Sequence, residues 1–165
     1  MQNAIRQEMV ELVPRMRRFA YALTGSKDEG DDLVQAACAR ALGRLDQFQP
    51  GTRLDSWMFR IVQTIRLDRL RSQRHRYHVA AAEMMEHVSD GGAAARQVEA
   101  RLTLDRLRAE MATLPDDQRA VLALVAIDGC SYRDAAEILD IPIGTVMSRL
   151  ARARARLMGR MGELG

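Results

Sequence analysis

Hydrophobic residues recur at three- and four-residue steps along almost the whole chain. Ile5, Met9, Leu12, Met16, Phe19 and Leu23 make the stripe of a first helix that buries one face. Pro14 interrupts that stripe, so the spacing predicts a kink or a short helix restarting at Arg15. Thr24-Gly25-Ser26 closes it. In a second helix Leu33, Val34, Ala37, Cys38, Ala41, Leu42 and Leu45 share a side. Asp28, Glu29, Asp31 and Asp32 crowd its N-terminal end, where the helix dipole favours acids. After the Pro50-Gly51 turn, Thr52 with Asp55 resembles a weak capping box. A third helix then places Leu54, Trp57, Met58, Ile61 and Ile65 on one side and runs on to about Arg76.

Small residues then replace the stripe. Ala80 to Ala82, Ser89-Asp90-Gly91-Gly92 and Ala93 to Ala95 predict a flexible linker over 79–98, with at most a helical turn near Glu83–His87. Helical spacing returns at Val98, Leu102, Leu104 and Leu107, and breaks at Leu114-Pro115-Asp116. Pro115 suits the start of another helix, with Val121, Leu122, Leu124 and Val125 on its apolar side. No period-2 stretch bounded by hairpin turns occurs. The expectation is an all-α chain of two small helical domains, 1–78 and 99–165, joined by that linker.

The pattern from Gly129 onward is that of a helix-turn-helix. Ser131 is placed to N-cap a helix over 132–139 that buries Ala135, Ala136, Ile138 and Leu139. Asp140-Ile141-Pro142 makes the turn, and Gly144-Thr145 opens a second helix. Its inner stripe is Val146, Leu150, Ala153 and Leu157. Its outer face carries Met147, Ser148, Ala151, Arg152, Ala155 and Arg156. Short side chains interrupted by arginine allow close entry to a major groove, with Arg152 long enough to reach a base edge. Arg149 and Arg154 flank that face and suit phosphate contacts.

Charge sharpens this only when it is divided along the chain. The 165 residues carry a net +3, which alone points to no partner. Residues 1–78 hold +5, 79–98 hold −2, and 99–165 are balanced. Six arginines between Arg60 and Arg76 oppose only Asp68, and five more follow Thr145 against one acid. Two basic stretches in different halves suggest two contacts with one polyanion, whose affinity would fall with salt. Lys27 is the only lysine. Codon bias explains that as readily as the better fit of guanidinium forks to phosphate and guanine.

At these residues the chain resembles a known family. Leu114-Pro115-Asp116-Asp117-Gln118-Arg119, Gly129 to Ala136, and Ile141 to Arg154 resemble region 4 of an extracytoplasmic-function (ECF, group 4) sigma factor of the bacterial sigma-70 family. Asp31-Asp32-Leu33-Val34-Gln35 resembles the region 2 helix that docks on the polymerase clamp. Phe48, Leu54 to Met58, Ile61 and Asp68-Arg69-Leu70-Arg71 resemble the part that meets the −10 element. The resemblance spans nearly the whole chain, in order, with a linker between.

It implies an alternative sigma factor in the bacterial cytoplasm, directing core RNA polymerase to promoter DNA. Asp32, Leu33 and Gln35 would contact the clamp helices of the largest subunit, and the second domain would meet the flap region. Thr64, Arg66, Arg69, Arg71, Arg74 and Arg76 would lie at or above the −10 element. Met147, Ser148, Arg149, Ala151, Arg152 and Arg154 would meet the −35 element. An anti-sigma factor is the expected regulatory partner. Two departures stand out: Thr64 occupies the place of a base-reading asparagine, and Ala36 that of a glutamate in the clamp motif. A threonine lacks the paired donor and acceptor of an amide.

Other chemistry is poorly supported. Two cysteines, Cys38 and Cys130, exclude a disulfide framework and a four-cysteine zinc site. His75 and His78 stand beside Arg74 and Arg76, which repel a metal ion, and the expectation is no metal and no cofactor. No apolar run reaches a membrane span of roughly 18–20 residues, and the N-terminus lacks the apolar core of a secretory signal. No nucleophile and base, phosphate-binding glycine loop or carboxylate pair suggests an enzyme. Two competing readings remain: a sigma-like decoy that titrates an anti-sigma factor, motivated by Thr64 and Ala36, and an ordinary helix-turn-helix repressor or activator, which leaves the first 78 residues unexplained.

Overall fold

The computed structural model describes the backbone of residues 1–79 and 105–162, with side chains described over 1–76 and 105–160. The regular elements among them are all helical. They are α1 (Gln2–Thr24), α2 (Lys27–Leu42), a 3-10 turn (Leu45–Gln47) and α3 (Leu54–Val79). A helix over 105–112, α4, opens the second half. It is followed by α5 (Asp116–Leu122), a π-helical turn (Ala123–Ile127), α6 (Tyr132–Leu139) and α7 (Ile143–Gly162). The segment expected to be a linker, 79–98, lies outside the described residues except for the backbone of Val79, as do Val98, Leu102 and Leu104.

In the first half the apolar stripes meet as their spacing predicts. Met9, Leu12, Met16, Phe19 and Leu23 of α1 are buried against Leu33, Val34, Ala37 and Ala41 of α2. The two helices are joined at Gly25, which takes the left-handed conformation at φ 70° and returns its N–H to the Tyr21 carbonyl at 2.8 Å. Ser26 then caps α2, its hydroxyl accepting from the Glu29 N–H at 3.3 Å. Gly30 lets the helices close up, because a Cβ there would lie 2.4 Å from Tyr21 Cδ1.

Two local expectations are corrected. Pro14 neither ends nor restarts α1, which is continuous from Gln2 to Thr24. Pro14 and Val10 are both exposed, so water can serve the Val10 carbonyl that a proline leaves without a donor. Thr52 does not cap α3; its hydroxyl donates to the Gln49 carbonyl at 2.6 Å. Helix α3 is also buried on more than the expected side. Phe59 and Val62 join Leu54, Met58, Ile61 and Ile65 in the core, with Phe59 edge-on to Phe19 at 5.2 Å.

The second half is built around α5, α6 and α7. Pro115 precedes α5, whose first turn carries Asp116 and Asp117. The π turn is a feature that periodicity did not reveal: the Asp128 N–H reaches back five residues to the Ala123 carbonyl at 3.0 Å. Ser131 caps α6 as expected, accepting from the Asp134 N–H at 3.0 Å. Asp140, at φ 54°, makes the left-handed corner into α7. Val146, Leu150 and Ala153 are buried and Leu157 half-buried. The halves touch: α6 packs on α3, and the π turn and α5 pack on α1.

Candidate nucleic-acid interface

With its inner stripe in the core, α7 turns Met147, Ser148, Ala151, Arg152, Arg154, Ala155 and Arg156 to solvent. At roughly 100° per residue, Ser148 and Ala155 point straight out and Arg152 stands beside them. Arg154 and Met147 share one edge of this face, and Arg149 and Arg156 the other. Arg149 differs from its neighbours, being half-buried and drawn back to Asp117 of α5 at 3.4 Å. Arg152 and Arg154 form no ion pair among the described residues. The exposed strip is therefore short-chained along its centre, with unengaged guanidinium groups at its margin. That shape admits a major groove.

The arginines of α3 do not form one stripe. The same turn angle puts Thr64 and Arg71 on one side, with Arg74 adjoining, and Arg66, Arg69 and Arg76 on another, toward α2. Arg69 pairs with Asp32 at 2.8 Å, so one residue expected at DNA and one expected at polymerase engage each other. Arg66 is half-buried; burial lowers its pKa from the ordinary arginine value, with Asp116 opposing that shift. The Thr64 hydroxyl donates to the Arg60 carbonyl at 2.8 Å, leaving only its lone pairs for an outside partner. Arg71 pairs loosely with Asp68 at 3.8 Å, and Arg74 with Asp116 at 3.3 Å.

On α2, Asp32 and Gln35 are exposed, but Leu33 is only 1% exposed. Leu33 is thus corrected from a contact residue to a core residue: it holds α2 against α1 and α3 and presents nothing outward. Beside it an open groove of about 510 Å³ runs between α2 and α3, lined by Ala36, Arg40, Asp68, Arg69, Ser72 and Arg76. Ala36 adds only a methyl group to its wall.

A second hollow, of about 440 Å³, lies at the loop before α3. Its walls include Phe48 and Trp57, whose rings stand 5.2 Å apart and tilted by 47°. Arg53, Arg60 and Glu137 of α6 also line it, and the Ser56 hydroxyl is buried without a partner. Aromatic walls with one spare hydroxyl can stack and position an unpaired base.

Sequence reasoning missed the residues joining the halves. Arg15 lies over the Phe59 ring at 5.2 Å and forks onto Asp128, Nε at 3.1 Å and Nη2 at 2.9 Å. Those bonds raise its pKa. Arg53 pairs with Asp55 at 2.7 Å and with Asp134 of α6. Burial works to raise the Asp55 carboxyl, but bonds from Arg53, the Ser56 N–H and Arg15 prevail and hold it below its usual value. The Cys130 thiol donates to Asp128 at 3.1 Å. Burial, then that carboxylate, pushes the thiol up to about 12, so Cys130 is protonated at neutral pH. No local periodicity signals the Arg15–Asp128 and Arg53–Asp134 pairs, whose members lie far apart in sequence.

Comparison with known proteins covers both halves. Residues 104–157 match the family described as Sigma-70, region 4, and residues 9–63 match the Sigma2 domain of PhyR. The ECF RNA polymerase sigma factor EcfG of Rhodopseudomonas palustris is 37% identical over 94% of this chain and 83% of its own length. Among solved structures, the sigma factor RpoE of Bartonella quintana, in complex with the anti-sigma factor NepR, superposes with a TM-score of 0.82. It shares 30% identity, covering 95% of this chain and 96% of that one. CnrH, in complex with the cytosolic domain of CnrY, superposes at 0.70, with 26% identity and 99% and 90% coverage.

Proposed function

We propose how this chain, which belongs to the extracytoplasmic-function sigma factors of the sigma-70 family, uses its surfaces as an alternative sigma factor directing RNA polymerase to specific promoters. The observation that carries the function is the 37% identity to EcfG across 94% of the chain, both halves included. Within the family we place it in group 4, acting in the bacterial cytoplasm by binding alone, with no catalytic step or cofactor of its own.

The first half, 1–78, docks on the clamp helices of core polymerase through Asp32 and Gln35, beside the open groove lined by Ala36. The hollow at Phe48 and Trp57 accepts an unstacked base of the −10 element, Thr64 supplying an acceptor nearby. Arg71 and Arg74 follow the backbone above it. Arg66, Arg69 and Arg76 face α2 and shape the docking side instead. The second half, 99–165, meets the flap region and lays α7 in the major groove at −35, with Ser148, Ala151 and Arg152 at base edges and Arg154 at phosphate. An anti-sigma factor restrains it, as one is bound to RpoE in the solved structure.

Beside Thr64 and Ala36, the decoy reading is supported by the match of residues 9–63 to the Sigma2 domain of PhyR. Reconstituted transcription with bacterial core polymerase across a promoter library separates the two. Specific initiation is expected. Core binding without initiation on any promoter would favour the decoy, and absence of core binding would sink both.

A further inference from the structure

The groove between α2 and α3 carries more positive charge than a docking role uses. Arg69, Ser72, Gln73 and Arg76 stand at steps of three and four on one stripe of α3. Together with Ala36 and Arg40 of α2 they line the open space of about 510 Å³. Arg40, Arg69 and Arg76 thus border it, against the single carboxylate of Asp68. That carboxylate is 55% exposed and already in loose contact with Arg71 at 3.8 Å.

Arg40 is the least engaged of these arginines. A carboxylate four residues earlier on the same helix face is a favourable partner for an arginine. Position 36 holds alanine instead, where the clamp motif that this helix resembles carries glutamate. Arg40 forms no ion pair among the described residues. Arg69 is held by Asp32 at 2.8 Å, but the two side chains are 39% and 66% exposed, so the pair is weak and exchangeable. Arg76 is exposed, and Ser72 and Gln73 add neutral donors between the two arginines of α3.

Guanidinium forks with hydroxyl and amide donors, and almost no competing carboxylate, are the chemistry that recognises phosphoryl oxygens. The volume is that of a small-ligand site. Bidentate forks from all of these arginines take more acceptor oxygens than one phosphate presents. We infer that the α2–α3 groove binds a small phosphorylated anion carrying at least two phosphoryl groups, held by Arg40, Arg69 and Arg76 with Ser72 and Gln73 donating between them. The site lies on the α2 side of α3, away from Thr64 and Arg71, and stands whether or not those residues meet DNA. Asp32 must share Arg69 with the ligand, which keeps the affinity modest.

Isothermal titration of the full chain at low ionic strength, without magnesium, tests this with inorganic pyrophosphate and ATP as probes. A Kd on the order of 0.1 mM is expected for at least one of them. Binding of pyrophosphate alone would mark an inorganic anion as the occupant, and tighter binding of ATP a nucleotide; either result upholds the site. Ala36→Glu, which sets a carboxylate beside Arg40, and Arg40→Ala should each weaken binding about tenfold. Arg18→Ala removes the same charge from an exposed part of α1 and should bind like wild type. No binding of either probe, equal weakening in the Arg18 control, or wild-type affinity in Ala36→Glu overturns the proposal. So does a single-stranded oligonucleotide that loses affinity as steeply in Ala36→Glu, because the groove would then serve the nucleic-acid backbone. Should Arg40→Ala fail to fold by circular dichroism, Ala36→Glu decides alone, since glutamate is a strong helix former and position 36 is only half-buried.

Discussion

Arg119→Met tests what ties the second half together. The Arg119 guanidinium, 9% exposed, donates to four carbonyls: Met111 at 2.9 Å, Ala112 and Leu114 at 2.8 Å each, and Leu23 of α1 at 2.9 Å. Helix ends leave their last carbonyls without partners. One fork thus serves the end of α1 and the chain between α4 and α5. The four bonds are not equal in consequence. Met111 keeps a second donor, the Leu114 N–H at 3.1 Å, and Ala112 is exposed, so water can replace the arginine there. Leu23 and Leu114 are each 3% exposed, and their carbonyls are left buried. An unsatisfied buried acceptor costs about 1–3 kcal/mol, so two cost about 2–6 kcal/mol.

Methionine fills much of the vacated volume and removes the burden of a buried charge, which places the expected loss near 3–4 kcal/mol. That is a large share of the roughly 5–15 kcal/mol that holds a typical domain together. Urea unfolding followed by far-ultraviolet circular dichroism measures it as a shift in midpoint at constant slope. Arg119→Lys keeps the charge without the fork and should fall between wild type and Arg119→Met. A loss below about 1 kcal/mol for Arg119→Met, the size of an ordinary surface change, would refute the reasoning.

Three further outcomes follow from particular contacts. In a Cys38→Ser background, Cys130 should alkylate slowly at about pH 8.5, the ordinary range of a free thiol, and quicken only toward its raised pKa of about 12; a native rate already half-maximal near pH 9 would contradict the Asp128 bond. Because the folded pKa lies above the unfolded one, the stability Cys130 contributes is fully present below the unfolded value and lost as pH rises through about 12. Gly30→Ala should destabilise by about 1–3 kcal/mol, since its Cβ would meet the Tyr21 ring; helix propensity alone predicts the opposite sign, so a gain in thermal midpoint would disprove the close approach. Arg152→Ala should relax −35 selectivity by about 1–3 kcal/mol if the guanidinium forks onto a base, and an unchanged promoter ranking would remove it from the reading face.

Local pattern carried the fold a long way. The stripes of α1, α6 and α7, the Ser131 cap and the Asp140 corner are set by neighbours three or four residues apart, and the structure places them where the spacing predicts. Failures occur where distant or unusual partners decide. Pro14 is tolerated where it and Val10 are both exposed, so that water can serve the carbonyl it strips. The π turn inserts a five-residue step that no apolar spacing marks, and it delivers Asp128 to Arg15. Leu33 was assigned outward from a motif, although its own apolar character, beside Val34 and Ala37, argued for the core. Arg119 offered no such hint, because its acceptors are backbone carbonyls and one belongs to α1.

The candidate site shows the same division, with one instructive exception. Counting arginines between Arg60 and Arg76 suggested a single basic stripe, yet the turn of the helix splits them, Arg69 going to Asp32 and Arg74 to Asp116. Charge summed over a segment cannot distinguish groups free to meet a polyanion from groups already engaged. Spacing can, in part: Arg53, Arg60 and Arg74 share a register of seven that was readable before any coordinates, and it marks the side facing the other half. The acids that meet this stripe come from a half whose net charge is zero, so their concentration on one edge was invisible to the regional sum. A neutral total there is what a domain with two faces produces, arginines on the exposed face of α7 and carboxylates on α5 and α6 toward α3. That division of charge sets Asp116 and Asp134 against Arg74 and Arg53 and leaves the arginines of α7 without competition from them.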